Sequence, residues 1–237
     1  MLFKKSYFIL FLLLISCSGE VSDENKQTST TVLPVSGQFF DGVSYKTIST
    51  EKIVKDEKSP LGEWTLSVSY PEIKGGIKDK VKSKINNSIT ILSNKYKCPK
   101  KGEHTFTANV KFISNKVYSL NYEAMWYCPP MASPDGTSNA LTFNLNTGEN
   151  ILLETQYINT KAHDLLSSLI LRKIKTQLKD SENCPIKEQF DYFYKVKDAL
   201  IFVFKMEQHA DSGCISEIKV SKNELENILM PDSFLLN

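Results

Sequence analysis

The sequence predicts an α+β fold, an antiparallel sheet with two amphipathic helices packed on it. Three observations carry this. In "EWTLSVSYPEI", Trp64, Leu66, Val68 and Tyr70 alternate with Thr65, Ser67 and Ser69, which gives a strand one apolar face. Over Gly76–Asn94, Ile77, Val81, Ile85, Ile89 and Leu92 recur at helical spacing with lysines and asparagines opposite. Over Lys161–Lys179, Leu166, Ile170, Ile174 and Leu178 form a second stripe, which Leu165 and Leu169 widen. Each helical stripe needs an apolar cover, and the alternating strands offer one.

The remaining elements follow in order. "VSYKTISTEKIV" from Val43 reads as a first strand. Pro71 should end the strand of Trp64, because proline cannot donate to a ladder. "HTFTANVKFIS" and "KVYSLNYEAMWYC" both alternate, and Ser114-Asn115-Lys116 makes the turn between them. "PPMASPDGTSN" holds three prolines and an Asp-Gly, and reads as a loop. "ALTFNL" and "ENILL" form a hairpin across "NTG", and "FDYFYKV" pairs with "ALIFVFKM" across Lys197-Asp198. Ser221-Lys222-Asn223-Glu224 is a capping-box pattern that opens a short helix, which Pro231 stops. The order strand, helix, Cys-Pro, strand, turn, strand, Cys occurs twice within the α+β domain of residues 39–237, which leaves two readings open: an old duplication with halves 39–135 and 136–237, or coincidence.

The N-terminus specifies export. The apolar run Tyr7–Ile15 follows Lys4 and Lys5 and is too short to cross a hydrocarbon core, which needs about 20 residues. This is the layout of a secretory signal, residues 1–16. Leu14-Ile15-Ser16-Cys17 resembles the lipobox of bacterial lipoproteins, which implies cleavage before Cys17 and acylation of it with palmitate-type chains. Residues 17–38, rich in Ser and Thr and without hydrophobic period, read as a flexible tether. The expected location is the cell envelope, at the outer membrane or periplasmic face of a Gram-negative bacterium in preference to a Gram-positive surface.

The chain has 237 residues and a formal net charge of +2, both units of which Lys4 and Lys5 supply. A near-neutral mature chain without basic tracts between aromatics argues against a nucleic-acid partner. Apart from Cys17, four cysteines remain: Cys98, Cys128, Cys184 and Cys214. An even set in an oxidising compartment reads as disulfides, and no two are close enough for a zinc site. Residues equally far from a hairpin turn face each other. The turn near Asn115 sets Cys128 opposite Lys101–Gly102, and the turn near Asp198 sets Cys214 opposite Glu182. The expected pairs are therefore Cys98–Cys128 and Cys184–Cys214.

"WTLSVSYPEIKGG", the helix with Asn86-Asn87, "VYSLNYEA" and "ALTFNLNTGENILL" together carry a resemblance. From about Val43 onward the chain resembles the sensor region of lysozyme-responsive anti-sigma factors of the RsiV type. It also resembles the accessory region of peptidoglycan deacetylases of the PdaC type. The resemblance implies an extracytoplasmic module. In those relatives the middle strand leads into a Gly-Gly-Ala-His-Gly-like segment, where this chain has Tyr127-Cys128-Pro129-Pro130-Met131.

Catalytic signatures are sparse. His104, His163 and His209 stand in no metal-ligand spacing, and no cofactor motif is present. His209 and Asp211 lie together before Cys214 as a candidate pair. The stronger candidate is a binding surface of Trp126, Tyr127, Pro129, Pro130 and Met131, because aromatics beside a proline-stiffened loop lose little entropy on docking. Two functions stay open. One is a non-catalytic binding module for a lysozyme-like hydrolase, a toxin or cell-wall glycan. The other is a hydrolase acting on cell-wall material.

Overall fold

The structure, a computed structural model, describes residues 38–40, 42–56, 62–99, 101–177, 189–204 and 216–236. Cys17, Cys184, Cys214, His209 and Asp211 lie outside the described residues, as do the leader and most of the tether.

Among the described residues nine strands form two sheets. The larger contains β1 (Gln38–Phe40), β2 (Val43–Lys55), β3 (Glu63–Gly75), β4 (Glu103–Ile113), β5 (Val117–Tyr127) and β6 (Asp135–Asn144), in that order. Helix α1 (Asp79–Lys95) connects β3 to β4. The smaller sheet is β7 (Tyr192–Val196), β8 (Ala199–Val203) and β9 (Glu217–Ser221). Helix α2 (Ala162–Gln177) precedes it and the short α3 (Lys222–Leu225) follows it.

The large sheet is mixed, which corrects the expectation of an antiparallel one. β3 and β4 run parallel, with Leu66 opposite His104 and Ser69 opposite Thr107. The reason is the connection. A hairpin reverses the chain, whereas a helical crossover returns it to the same end of the sheet, so the strand after it runs parallel. The other pairings, in both sheets, are antiparallel.

Pro71 does not end β3, which continues to Gly75. The parallel ladder with β4 reaches only Ser69. Beyond it, Asn86 of α1 takes the place of a neighbouring strand: its Oδ1 accepts the Ile73 N–H and its Nδ2 donates to the Ile73 carbonyl, both at 2.9 Å. Pro71 is two residues back and so faces the same side. Its missing N–H therefore falls past the end of the ladder, where proline is tolerated. At the end of β3, Gly76 has φ +90°, and a Cβ there would stand 2.0 Å from the Gly42 carbonyl oxygen. Only glycine fits this backbone at so close an approach.

Helix α1 starts three residues later than its pattern predicts, at Asp79, and buries Val81, Ile85 and Ile89. These pack with Val68, Ile73, Phe106, Tyr118, Leu120, Tyr122 and Phe143 in the first core. Helix α2 buries Leu166, Leu169, Ile170 and Ile174. Leu165 is exposed and does not widen the stripe. Leu178 and Lys179 lie outside the described residues. Leu200, Phe202, Ile218, Val220, Leu225, Leu235 and Leu236 complete this second core. "ENILL" is not a strand: it makes a single bridge, Phe143 to Asn150, and then a 3₁₀ turn at Leu153–Gln156.

The small sheet stands edge-on against the large one. The Lys195 N–H of edge strand β7 donates to Ser119 Oγ (3.0 Å), which also bonds Thr142 Oγ1 (2.9 Å). The Lys195 side chain is 2% exposed. Its Nζ donates to the Leu235 carbonyl at 2.8 Å and lies 4.9 Å from the centre of the Phe112 ring. Burial, helped by the charge of Lys222, lowers its pKa to about 8, while Asp198 opposes the shift. At α3, Glu224 accepts hydrogen bonds from the Ser221 N–H (2.8 Å) and Oγ (2.6 Å) and pairs with Lys173. Burial pushes this carboxyl upward, but the hydrogen bonds from Lys173 and Ser221 outweigh it and hold the pKa at about 2.

Candidate binding surfaces

The first candidate surface is the loop after β5. Cys98 follows α1 and Cys128 follows β5. The β4–β5 register ends with Glu103 opposite Tyr127, which brings the two cysteines to the same end of the hairpin. They form a disulfide with a Cα–Cα distance of 5.3 Å, the pairing that hairpin geometry predicts. Gly102 makes room for it: a Cβ there would sit 2.4 Å from both Cys98 Sγ and the Tyr127 carbonyl oxygen.

The sequence-selected residues divide. Trp126 is half-buried, stacked on Tyr96 at 4.6 Å between ring centres, and packs against the first core. Tyr127 is half-buried, 5.9 Å from the Trp64 ring. Trp64 in turn donates its indole N–H to Asp56 (2.9 Å), which Lys101 also approaches at 3.2 Å. These aromatics brace the end of the sheet. Met131 folds inward as well, its Sδ accepting the Cys128 N–H at 3.3 Å, while the Met131 N–H closes a turn onto the Cys128 carbonyl. Pro129 and Pro130, joined by a cis peptide bond, are exposed. Met125, which the sequence reading did not select, is 58% exposed on the neighbouring stretch of β5.

The second candidate is a cleft that sequence reasoning missed. It lies where edge strand β6 and the segment after it meet the start of β7, and its volume is about 200 Å³. Asn139, Thr142, Asn150, Leu152, Glu154, Phe190, Asp191, Tyr192 and Phe193 line it. Tyr192 is fixed by a hydrogen bond to Ser138, and burial raises its pKa. No signal in the sequence pairs these residues, because they come from three segments that only the docking of the two sheets brings together.

His104 is fully buried and its Nε2 lies 2.9 Å from the Ser93 carbonyl. A carbonyl only accepts, so Nε2 carries the proton and Nδ1 is bare; Nδ1 has no partner. Burial lowers the pKa of this histidine, which keeps the ring neutral and makes it a core residue. His163 is exposed beside Asp164. Among the described residues no group of His, Cys, Asp and Glu could hold a metal ion, and no helix is long and apolar enough to cross a membrane.

No protein-family model matches the chain, and no curated protein does. Solved structures do. A DUF3298 family member from Bacteroides fragilis superposes with a TM-score of 0.61 at 11% identity, over 81% of this chain and 96% of its own. A DUF3298 family protein from Pseudomonas aeruginosa PAO1 gives a TM-score of 0.59 at 10% identity over the same shares. At such low identity the likeness establishes architecture alone: this chain has the fold of DUF3298 family proteins.

Proposed function

We propose that the protein is a lipid-tethered, non-catalytic binding module of the bacterial cell envelope. It docks a folded envelope partner, such as a lysozyme-like hydrolase or a toxin, through Met125, Pro129 and Pro130. One observation carries this reading. An exposed methionine near the end of β5 and two exposed prolines on the loop after it form a surface that the Cys98–Cys128 bridge, a closed turn and the braced aromatics Trp126 and Tyr127 hold in one shape. A surface ordered before binding loses little entropy when a partner arrives, and methionine adapts to varied apolar partners. The lipobox-like Leu14-Ile15-Ser16-Cys17 supports the tether, since more than one acyl chain is needed for stable anchoring.

The test is a pull-down from envelope extract with the full-length protein and with the triple variant Met125→Ala, Pro129→Ala, Pro130→Ala. The expected result is one stoichiometric protein, captured by the native chain and lost at least tenfold in the variant. Equal capture by both would overturn the loop. Cys17→Ser is expected to leave the membrane fraction or to accumulate unprocessed, and unchanged processing and fractionation would overturn the tether.

A further inference from the structure

The cleft between the two sheets has a hydrogen-bonding pattern that specifies its ligand. β6 is the outer strand of the large sheet. Along it the Ala140 N–H donates to Asn139 Oδ1 (2.7 Å), the Thr142 N–H to Asn150 Oδ1 (3.1 Å) and the Gly136 N–H to Asp135 Oδ1 (2.7 Å). Thr142 also accepts the Ile151 N–H on its carbonyl, which identifies this as the outward side of the strand. Residues 136 and 140 share it by the period of two. Two consequences follow. Three outward donors, on Gly136, Ala140 and Thr142, are already satisfied, so a peptide strand arriving at this edge would have to displace those bonds. In addition, each asparagine oxygen is committed to the backbone, so the amide NH2 of Asn139 and of Asn150 is left to donate, and neither makes a hydrogen bond to another described residue.

Both asparagines line the cleft with two carboxylates, Glu154 and Asp191, and with the rings of Phe190, Tyr192 and Phe193. Leu152, 53% exposed, stands beside them. Among the described residues lysine and arginine are absent from the lining, so a phosphate or carboxylate ligand would meet like charge there. A basic side chain would suit the carboxylates but offers donors only, and would leave both asparagine NH2 groups without acceptors. A sugar hydroxyl donates and accepts at once, and the C–H face of a pyranose ring is apolar enough to lie on an aromatic wall. The volume, about 200 Å³, leaves room for one sugar unit.

We propose that this cleft binds a single neutral hexose or N-acetylhexosamine unit: the carboxylates of Glu154 and Asp191 accept from its hydroxyls, the amides of Asn139 and Asn150 donate to them, and the aromatic wall carries its ring. The site deepens the reading of the protein as an envelope binding module and rests on that reading only for the origin of the sugar, which is envelope glycan. It shares no residue with the Pro129–Pro130 loop, so the two fail separately.

The experiment is an NMR titration of the isotope-labelled full chain with N-acetylglucosamine, with glucose and with the dipeptide Lys-Lys, following backbone and side-chain amides. The expected result is saturable millimolar shifts with one of the two sugars, centred on the side-chain NH2 signals of Asn139 and Asn150 and on the backbone of 190–193. Glu154→Gln, an isosteric change at an exposed position, should weaken sugar binding about tenfold, the scale of one hydrogen bond to a charged acceptor. Two results would overturn the proposal: no saturable shift at these residues with either sugar, or Lys-Lys displacing both sugars as the better ligand. Asn150→Asp gives an independent check, because it removes the NH2 donor but keeps the oxygen that caps Thr142. Sugar binding unaltered in both variants would likewise overturn it.

Discussion

Two basic side chains, His104 and Lys195, are buried in the molecule, and the fold accommodates them differently. Beside α1, His104 is held neutral: Nε2–H meets the Ser93 carbonyl and bare Nδ1 has no hydrogen-bond partner. On β7, Lys195 sits between the Leu235 carbonyl and the face of Phe112, with a pKa near 8. It therefore stays charged at neutral pH. An imidazole can shed its charge before burial at small cost, whereas an ammonium must be solvated by the protein. The first core is locked covalently by Cys98–Cys128. In the second, a buried charge binds β7 to the residues near position 235. One region is thus held by a covalent tie, and the other depends on an interaction that pH can alter.

Removing the covalent tie should have the largest effect. Cys98→Ala with Cys128→Ala opens a loop of sequence separation 30, which the chain-entropy model values at about 3–4 kcal/mol. Urea unfolding of the double variant should show that loss. A loss below about 1 kcal/mol would mean that the braced aromatics Trp64, Tyr96, Trp126 and Tyr127 hold this end unaided.

Lys195 comes next, and it sharpens the contrast. Its folded pKa lies below the unfolded value of 10.5, so between about pH 8 and 10.5 the unfolded chain binds the extra proton. Stability should therefore rise as pH increases through that window, by at most about 3 kcal/mol. It is lost again as pH falls through about 8. In Lys195→Met this rise should vanish. An identical rise in the variant would assign the titration to another group.

The smallest effect belongs to His104. Its folded pKa is lowered by burial, so the stability it confers is present above the unfolded value of 6.5 and declines as pH falls below it. His104→Gln retains a side-chain N–H for the Ser93 carbonyl and removes the titration. Thermal unfolding between pH 5 and 7 should lose its histidine-dependent slope in this variant, and an unchanged slope would assign the titration to another group.

Much of this contrast was legible in the sequence. The stripe Val81, Ile85, Ile89 and the alternation of β3, β4 and β5 are local patterns, and they mark helix and strands correctly. The Cys98–Cys128 pairing was legible too, because it follows from one turn position. The parallel join of β3 to β4 was not. Alternation fixes which face a residue takes and is silent on which strand lies beside it. Pro71 misled for the same reason: its cost depends on whether a partner strand faces that side, and Asn86 supplies the neighbour only through tertiary packing. Alternation points to Trp126 and Tyr127 as surface residues, but Tyr96 stacks on the first and the tilted Trp64 ring packs near the second, and both come from distant segments. The cleft escaped notice altogether, since Asn139, Asn150 and Asp191 look like ordinary loop and strand-edge residues until the sheets meet.

The filled outward donors of β6 also bear on how copies of this protein behave beside one another. An exposed strand edge is a template on which another chain can extend a sheet, and growth of that kind leads to aggregates and fibrils. Here three of the donors that such growth would use, on Gly136, Ala140 and Thr142, are occupied by Asp135, Asn139 and Asn150 of the same chain. A second copy that approaches edge-on must first break those bonds, one at a time and without a matching gain until a new strand is in register. The strand end therefore works as a terminator against self-templated growth, a property suited to molecules crowded together on one surface.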